Sequence, residues 1–364
     1  MFKDRPSDGM ARRWLLAICL LAIAVVLVFA LPITAWRTGR QNALQFDLVS
    51  GGPSVPQSSR IWIDTDAACG ATPTTDPDDC LAIAWLAQNG HAIAGISTSY
   101  GNANGDVVLR TTRMLVSKIV ESGQTLIKVW RGWDSPVVKA DNGVPPAQAA
   151  LRTALNEGPL TILALGPLTN IADALEDRPE LQHNVTRLVA VMGHQPGHLF
   201  HPAEASGRGI LMGHGPIFRD LNFSMDETAA QSILDMHLPL TLIPYDAAVH
   251  TIITSADIEK LAHQGPTLSW AAATTKGWLN FWQNDIGQPG FYPFDWVAAA
   301  YFAKPSLFNC APTHVQIERE WVFWVYPRWS FLVSPIADGQ HEASLYCPQP
   351  ASSLHDFLLN GIAR

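Results

Sequence analysis

Short apolar runs alternate along the chain with longer stretches in which apolar residues recur at helical spacing. The run Ile61 to Ile63 predicts a short buried strand, and Leu81 to Ala87 predicts the helix that follows it. Later strands are predicted at 91–97, 161–165, 187–192 and 238–244, and later helices at 107–120, 169–175, 226–236 and 296–302. Strands and helices that alternate in this order are typical of an α/β protein.

Five aspartates lie between the first predicted strand and its helix. Asp64 and Asp66 stand where the strand ends, and Asp76, Asp78 and Asp79 stand where the helix begins and would cap it. Ligands of open α/β sheets bind beyond the carboxyl ends of the strands, where these carboxylates would meet. Carboxylates held together repel one another unless a hard cation such as calcium or magnesium lies among them. The ordinary alternative is a solvated acidic loop with helix caps.

The N-terminal region predicts a membrane segment. Residues 14–31 are wholly apolar, and 14–36 contain no charged residue. This run exceeds the ~7–15 residues of a signal-peptide core and approaches the ~20 of a membrane span. The sequence therefore predicts a cytoplasmic N-terminus at 1–13, an uncleaved signal anchor at 14–36, a linker at 37–59 and a domain at 60–364.

Basic residues before the span favour export of the domain, although Arg37 and Arg40 reduce the charge asymmetry. We expect the domain to be periplasmic or extracellular, with secretion after signal cleavage as the alternative. Beyond residue 40 the chain carries 18 basic and 30 acidic groups, a net charge of −12. That balance argues against a nucleic-acid polymer as partner.

Four of the five cysteines lie outside the apolar segment. An even number in an oxidising compartment indicates disulfides, and the simplest pairing joins Cys69 to Cys80 and Cys310 to Cys347. Other pairings remain open on sequence alone. The chain has no C-x-x-C spacing, which argues against a zinc or iron–sulfur site.

The acidic stretch resembles the D-x-D-P-G-x-D-D motif of inosine-uridine type nucleoside hydrolases. Asp64-Thr65-Asp66 matches its first half and Asp78-Asp79 its second, with Ala67–Pro77 as an insertion in place of the short spacer. A second alignment would use Asp76-Pro77 as the D-P element. The resemblance extends over about residues 60–303 and implies a mainly parallel sheet with helices on both faces.

Other strings match the same family in order along the chain. They are Gly101-Asn102, the segment Thr161 to Ala172 with its Gly-Pro turn, Gly213 to Asn222, and Phe294-Asp295. The resemblance implies a calcium site made by Asp66, Asp79, Asp295 and the main-chain carbonyl of Leu165. Asp66 would also be the catalytic base. The residues expected to hold the sugar are Asp78, Asn102, His214, Asp220 and Asn222.

Two substitutions depart from the family pattern. His214 replaces an asparagine, and Phe294 replaces the histidine that protonates the leaving base in several members; a phenyl ring carries no acidic proton. His250 or His201 is an alternative acid. Trp278, Trp282 and Phe294, with Tyr292, are candidates for stacking on the base, although periodic aromatic residues are more often an apolar helix face. Asp246 is expected to be structural.

These features predict calcium-dependent hydrolysis of the N-glycosidic bond of ribonucleosides, with a homo-oligomer possible. The alternative is an extracytoplasmic nucleoside-binding homologue that is weakly active or inactive. A phosphatase of the haloacid dehalogenase type also has a D-x-D after a strand. That scheme requires Thr or Val where this chain has Ala68, and it has no place for the Gly-Pro string.

Overall fold

The computed structural model describes residues 12–25, 44–51, 60–136, 143, 145–198, 200, 219–322, 326–336 and 344–361. Residues 12–25 form helix α1 with exposed side chains. The rest of the predicted anchor, residues 26–36, lies outside the described residues. None of the helices described has both the length and the hydropathy required to cross a bilayer.

Strands and helices alternate through most of the domain, as the apolar pattern predicts. The strands are β1 (Val49–Ser50), β2 (Arg60–Thr65), β3 (Ala92–Thr98), β4 (Val129–Arg131), β5 (Leu160–Ala164), β6 (Val185–Ala190), β7 (Leu240–Leu242), β8 (Ile253–Thr254), β9 (Gly290–Phe291), β10 (Phe308–Val322), β11 (Tyr326–Pro335) and β12 (Leu345–Pro350). The helices after α1 are α2 (Asp78–Gln88), α3 (Gly105–Glu121), α4 (Pro146–Asn156), α5 (Thr169–Leu175), α6 (Pro179–Gln182), α7 (Leu221–Met225), α8 (Glu227–Asp235), α9 (Tyr245–Ala248), α10 (Ser255–Ala262), α11 (Pro266–Thr274), α12 (Lys276–Phe281), α13 (Phe294–Ala303) and α14 (Leu354–Asn360). A π-helical turn spans Trp282–Ile286, and a 3-10 turn spans Pro305–Leu307.

Within the described residues, ten strands form one sheet. Its order is β1-β10-β12-β7-β6-β5-β2-β3-β4, and β11 pairs with β10. The strands from β12 to β4 in this order are parallel, whereas β1, β10 and β11 form an antiparallel extension. The chain builds outwards from β2 in one direction with β3 and β4, then in the other with β5, β6 and β7. The switch point between β2 and β5 is where a ligand crevice is expected in such a sheet.

Helices cover both faces of this sheet, which confirms the expected fold class. Successive strand residues point to opposite faces, so Ile61 and Ile63 of β2 join one apolar core while Trp62 joins another. The first core contains α2 and α13, and the second contains α5 and α8. Because both faces are buried, apolar residues stand next to one another in a central strand, as in Ile61–Ile63 of β2, rather than alternating with exposed polar residues.

Part of the predicted linker is attached to the domain. Val49 and Ser50 pair with Cys310 and Asn309 of β10, and the ring of Phe46 lies 5.0 Å from that of Tyr346. Within the predicted linker, residues 46–50 therefore contact the domain. Both of the simplest disulfide pairings are present, Cys69–Cys80 and Cys310–Cys347.

Candidate functional site

The switch point of the sheet places Asp66 directly beyond β2. Its neighbour β5 ends at Ala164, and the N–H of Leu165 donates to the carbonyl of Asp64 at 2.8 Å. A Cβ atom at Gly166 would lie 3.4 Å from Asp66 Cβ. The Leu165–Gly166 turn and Asp66 therefore lie side by side, as the ligand prediction requires.

Asn102 joins the first aspartate of the site to the second. Its amide Nδ2 donates to Asp66 Oδ1 at 3.1 Å and to Asp79 Oδ2 at 3.2 Å. The preceding residue, Gly101, has φ +151°, and a Cβ there would overlap Asp66 Oδ2. The Gly-Asn pair thus serves a close approach of backbone to carboxylate, a role that only glycine can fill.

The first turns of α2 and α13 bring three carboxylates together. Ligand oxygens of Asp78, Asp79 and Asp295 all lie within 4.8 Å of one another, a spacing that can hold a metal ion. Asp78 Oδ2 accepts the backbone N–H of Asp295 at 2.9 Å, which ties the two helices together.

The capping predictions at these two helices were wrong in detail. The N-caps are Pro77 and Pro293, and neither makes a side-chain cap, so Asp78, Asp79 and Asp295 lie inside the first turns. Of the three aspartates expected to cap α2, only Asp76 accepts a backbone N–H of its first turn, since its Oδ1 accepts the N–H of Asp78 at 3.2 Å.

Burial raises the pKa of every carboxyl group in this cluster. The pKa of Asp66 rises to about 7, and those of Asp79 and Asp295 rise well above the ordinary value because each is also repelled by neighbouring carboxylates. Asp66, Asp78, Asp79 and Asp295 are all buried. The solvated-loop alternative is therefore wrong. Buried carboxylates that repel one another are the donor set that a hard divalent cation stabilises, and the residues present fit such an ion.

Asp64 and Asn170 lie behind the acidic cluster. From the sequence, neither residue was assigned to the calcium site or to the sugar. Asp64 is completely buried, and its pKa is raised to about 7, chiefly by burial. Asn170 Nδ2 donates to Asp64 Oδ1 at 2.8 Å and to the Thr98 carbonyl at 3.1 Å, while its Oδ1 accepts the N–H of Trp133 at 2.8 Å. The position of Asn170 three residues after the Gly-Pro turn, at the start of α5, was the sequence signal that could have indicated this role.

Asn222 and Asp220 anchor α7 to the ends of the strands. Asn222 Nδ2 donates to the carbonyls of Leu165 and Val191, at 2.9 and 3.0 Å. Asp220 is the N-cap of α7; one carboxylate oxygen accepts the N–H of Phe223 at 3.2 Å and the other that of Gly193 at 2.7 Å. Asn222 thus contacts the Leu165 turn, and the contacts with a sugar predicted for both residues stay predictions.

The aromatic residues predicted to stack on the base lie in two places. Some belong to the apolar core, and others lie at the half-buried rim of the acidic cluster, beside Asp295. Trp282 belongs to the buried core, where its ring lies 4.9 Å from that of Tyr292 and 6.0 Å from that of Trp278. The helix-face interpretation thus describes Trp282 better than base stacking does. Phe294 is half-buried beside Asp295, and its ring lies 5.3 Å from that of Tyr245. Tyr245 was missed, although it follows β7 at the same edge of the sheet.

Three histidines and Asp246 are the other residues to which the sequence gave a possible role. His214 and His201 lie outside the described residues. His250 is exposed after α9. Asp246 accepts a hydrogen bond from the Tyr346 hydroxyl at 3.0 Å, in agreement with the structural role expected for it.

The sequence matches the model of one protein family over most of the domain that carries the acidic cluster. The model of the inosine-uridine preferring nucleoside hydrolase family matches residues 61–323. The chain belongs to that family. The match confirms the resemblance that the acidic motif and the Gly-Pro string indicate.

Curated relatives of this family member are distant. The non-specific ribonucleoside hydrolase RihC of Klebsiella pneumoniae is 27% identical over 177 residues, which are 48% of this chain and 52% of that protein. The chain thus spans about half the length of this relative. The pyrimidine-specific ribonucleoside hydrolase RihA of an Enterobacter species is 26% identical over 271 residues, 67% of this chain and 81% of that protein.

Solved structures of family members share the fold. A plant nucleoside hydrolase aligns with a TM-score of 0.64 and 17% identity, covering 82% of this chain and 97% of that one. A purine-preferring ribonucleoside hydrolase from Gardnerella vaginalis aligns with a TM-score of 0.63 and 18% identity, covering 82% and 96%. At these identities the likeness shows the architecture alone.

Proposed function

We propose that this protein is a calcium-dependent ribonucleoside hydrolase that cleaves the N-glycosidic bond and releases free base and ribose. The observation that carries the proposal is the convergence of Asp66, Asp78, Asp79 and Asp295 at the switch point of the sheet. These residues come from three places in the sequence, yet Asn102 and the first turns of α2 and α13 hold them in one buried cluster.

The cation would be held by Asp66, Asp79, Asp295 and the Leu165 carbonyl, with water and sugar hydroxyls completing a shell of ~6–8 oxygens. Asp78 lies in the same group, but one of its oxygens is engaged by the Asp295 N–H. We assign its other oxygen to a sugar hydroxyl. When bound, a divalent cation offsets the carboxylate repulsion and acidifies a nearby water.

Asp66 is the residue that would accept the proton of the attacking water. The Asn102 backbone N–H donates to Asp66 Oδ2 at 2.9 Å and its amide donates to Oδ1 at 3.1 Å, so the carboxylate has one fixed orientation. A base fixed in this way needs little reorganisation during proton transfer. The surrounding carboxylates would stabilise the positive charge that develops on the sugar as the bond breaks.

The leaving base would pack against the aromatic side chains at the rim. Phe294 and Tyr245 offer ring faces next to Asp295, and aromatic faces bind planar bases without regard to their exact hydrogen-bonding pattern. No proton donor stands at position 294. We therefore expect bases that leave readily to be better substrates than bases that need protonation by the protein.

The proposal includes a location outside the cytoplasm, with the domain tethered by the N-terminal apolar segment. Two disulfides in the domain support an oxidising compartment. The acidic charge of the domain supports a small nucleoside rather than a nucleic-acid polymer as the ligand.

The test is hydrolysis of a panel of purine and pyrimidine ribonucleosides by the full-length chain, with and without a chelator. We expect turnover of at least one nucleoside, loss of turnover on chelation with recovery in added calcium, and loss in Asp66→Ala. A folded protein that binds calcium and is inert towards every nucleoside would contradict the proposal and favour the binding homologue.

A further inference from the structure

The disulfide Cys69–Cys80 closes the loop that leads from Asp66 to Asp78 and Asp79 in the first turn of α2. Cys69 lies three residues after Asp66, and Cys80 follows Asp79 in the first turn of α2. The two Cα atoms are 6.3 Å apart, and both half-cystines are buried. The cross-link therefore joins the region of the first aspartate to the region of the last one within the loop.

The loop that the Cys69–Cys80 disulfide closes is longer than the corresponding spacer of the family motif. Residues 67–77 separate Asp66 from Asp78, where the family motif has only a short Pro-Gly spacer. A longer loop has more conformations to lose when its ends are brought together. The buried carboxylates at both ends also repel one another, which favours a loop that spreads apart. A covalent link opposes both effects.

Hydrogen bonds also join the two ends of the loop, because Thr65 Oγ1 donates to Asp79 Oδ1 and Asn102 Nδ2 donates to both Asp66 and Asp79. Further contacts hold its middle. The hydroxyls of Thr72 and Thr75 lie 2.7 Å apart, and Thr75 Oγ1 accepts the N–H of Thr72 at 3.2 Å. A Cβ atom at Gly277 would lie 2.7 Å from the Pro73 backbone, so the loop packs closely on α12. The contacts of the middle order the outer part of the loop, and the disulfide adds a covalent link between its ends that the hydrogen bonds cannot supply.

We propose that the Cys69–Cys80 disulfide is a positioning device for the metal site and that it sets the affinity for the cation. This inference rests on the proposed function, because it takes the acidic cluster as the metal site. The disulfide acts through Asp66 and Asp79 and does not touch the substrate. Its burial makes it a permanent part of the site rather than a switch exposed to reductants.

The second disulfide provides a matched control. Cys310–Cys347 joins β10 to β12, and β12 is separated from β5 by β7 and β6. Its loop is longer, with a sequence separation of 37 against 11. Its removal should lower stability at least as much, because the stabilisation by a cross-link grows with loop length.

The experiment is calcium titration calorimetry on the full-length chain, its double variant Cys69→Ala/Cys80→Ala and the control Cys310→Ala/Cys347→Ala. Both double variants should melt at lower temperature. Only the first should bind calcium more weakly, by about 10–100-fold, the range typical of lost support around a metal ligand. Its nucleoside hydrolysis should be weak at low calcium and recover at saturating calcium, which a general loss of folding would not produce.

Equal calcium affinity in the two double variants and the wild type would overturn the inference and leave the proposed function standing. A wild-type protein that binds no calcium would overturn both. If Cys69→Ala/Cys80→Ala fails to fold, Cys69→Val/Cys80→Ala decides, since it also lacks the cross-link and refills part of the buried volume of the lost sulfurs. We then expect the same weaker calcium binding, and wild-type affinity would overturn the inference.

Discussion

Asn102 holds Asp66 at both carboxylate oxygens, through its backbone N–H to Oδ2 at 2.9 Å and its amide to Oδ1 at 3.1 Å. The same amide lies 3.2 Å from Asp79 Oδ2. One side chain from the loop after β3 thus sets the distance between two aspartates that precede it in the sequence. This relationship makes Asn102 a support for the acidic cluster, in addition to the sugar contact predicted for it.

Asn102→Ala should therefore lower kcat/KM by about 10- to 100-fold, because it loses two hydrogen bonds to carboxylates, each worth ~1.5 kcal/mol. The backbone N–H to Oδ2 remains in this variant. Asn104→Ala is the control, because Asn104 caps α3 by accepting the N–H of Val107. It should lower stability by about 1 kcal/mol and leave kcat/KM unchanged. Steady-state assays and thermal melts on both variants separate the two effects.

Asp66→Asn should lower kcat by about 10²–10⁴-fold, because the amide cannot accept the proton that the carboxylate accepts. The fold should persist, since Asn is nearly isosteric. Asp177→Asn is the control, a carboxylate paired with Arg152 on the surface. It should behave as wild type. Activity in Asp66→Asn within tenfold of wild type would show that the proton goes elsewhere.

The stabilisation by calcium should increase with pH. Burial raises the pKa of Asp64 and Asp66 to about 7, whereas an unfolded aspartate titrates near ~3.9. Between about pH 4 and 7 the folded, metal-free chain binds more protons than the unfolded chain, so these groups contribute less stability as pH rises. Calcium replaces those protons. The calcium-induced rise in Tm should be small at pH 5 and large at pH 8, and a rise independent of pH would contradict this account.

Asn170→Ala should destabilise the protein strongly. It removes hydrogen-bond partners from Asp64, the Thr98 carbonyl and the Trp133 N–H, in a buried setting. Each buried group left without a partner costs roughly 1–3 kcal/mol. Asn360→Ala is the matched control, because Asn360 is exposed and donates only to the Asp356 carbonyl among its described contacts. Denaturant melts should show a loss of several kcal/mol for the first variant and almost none for the second.

Phe294→His should raise kcat for nucleosides whose base needs a proton in order to leave. The residue stands in the first turn of α13 next to Asp295, and the imidazole would supply the donor that the phenyl ring lacks. A nitrophenyl riboside, whose leaving group is stable as an anion, serves as the control substrate. Its turnover should change little. If both substrates respond equally, the effect is on binding and not on proton transfer.

The strands and helices of the central sheet could be predicted from the sequence because their signals are local. Apolar runs such as Ile61–Ile63 mark strands that are buried on both faces, and the observed helices α3 and α5 begin within two residues of their predicted starts. The acidic motif also has a local form, so Asp66, Asp78 and Asp79 could be named. Asp295 was reached only through the resemblance to the family.

Residues that act over long distances gave no comparable signal. Tyr245 and Phe294 are neighbours only because β7 ends where α13 begins, at the same edge of the sheet. Trp278 and Trp282 show why base stacking and an apolar helix face both stayed open, since helical spacing cannot tell whether an aromatic side chain faces a ligand or the core. In the structure Trp282 faces the core.

By itself, the sequence determined the order of strands and helices, the position of the main acidic motif and the spacing of the cysteines, because each depends on residues close together in the chain. Only the tertiary structure decided that Asp295 meets Asp78 and Asp79, that Asn102 holds Asp66, and that Asn170 supports Asp64 from behind. Those contacts depend on which strands are neighbours at the switch point. That arrangement is set by the packing of two apolar cores over the whole sheet, and no single segment encodes it.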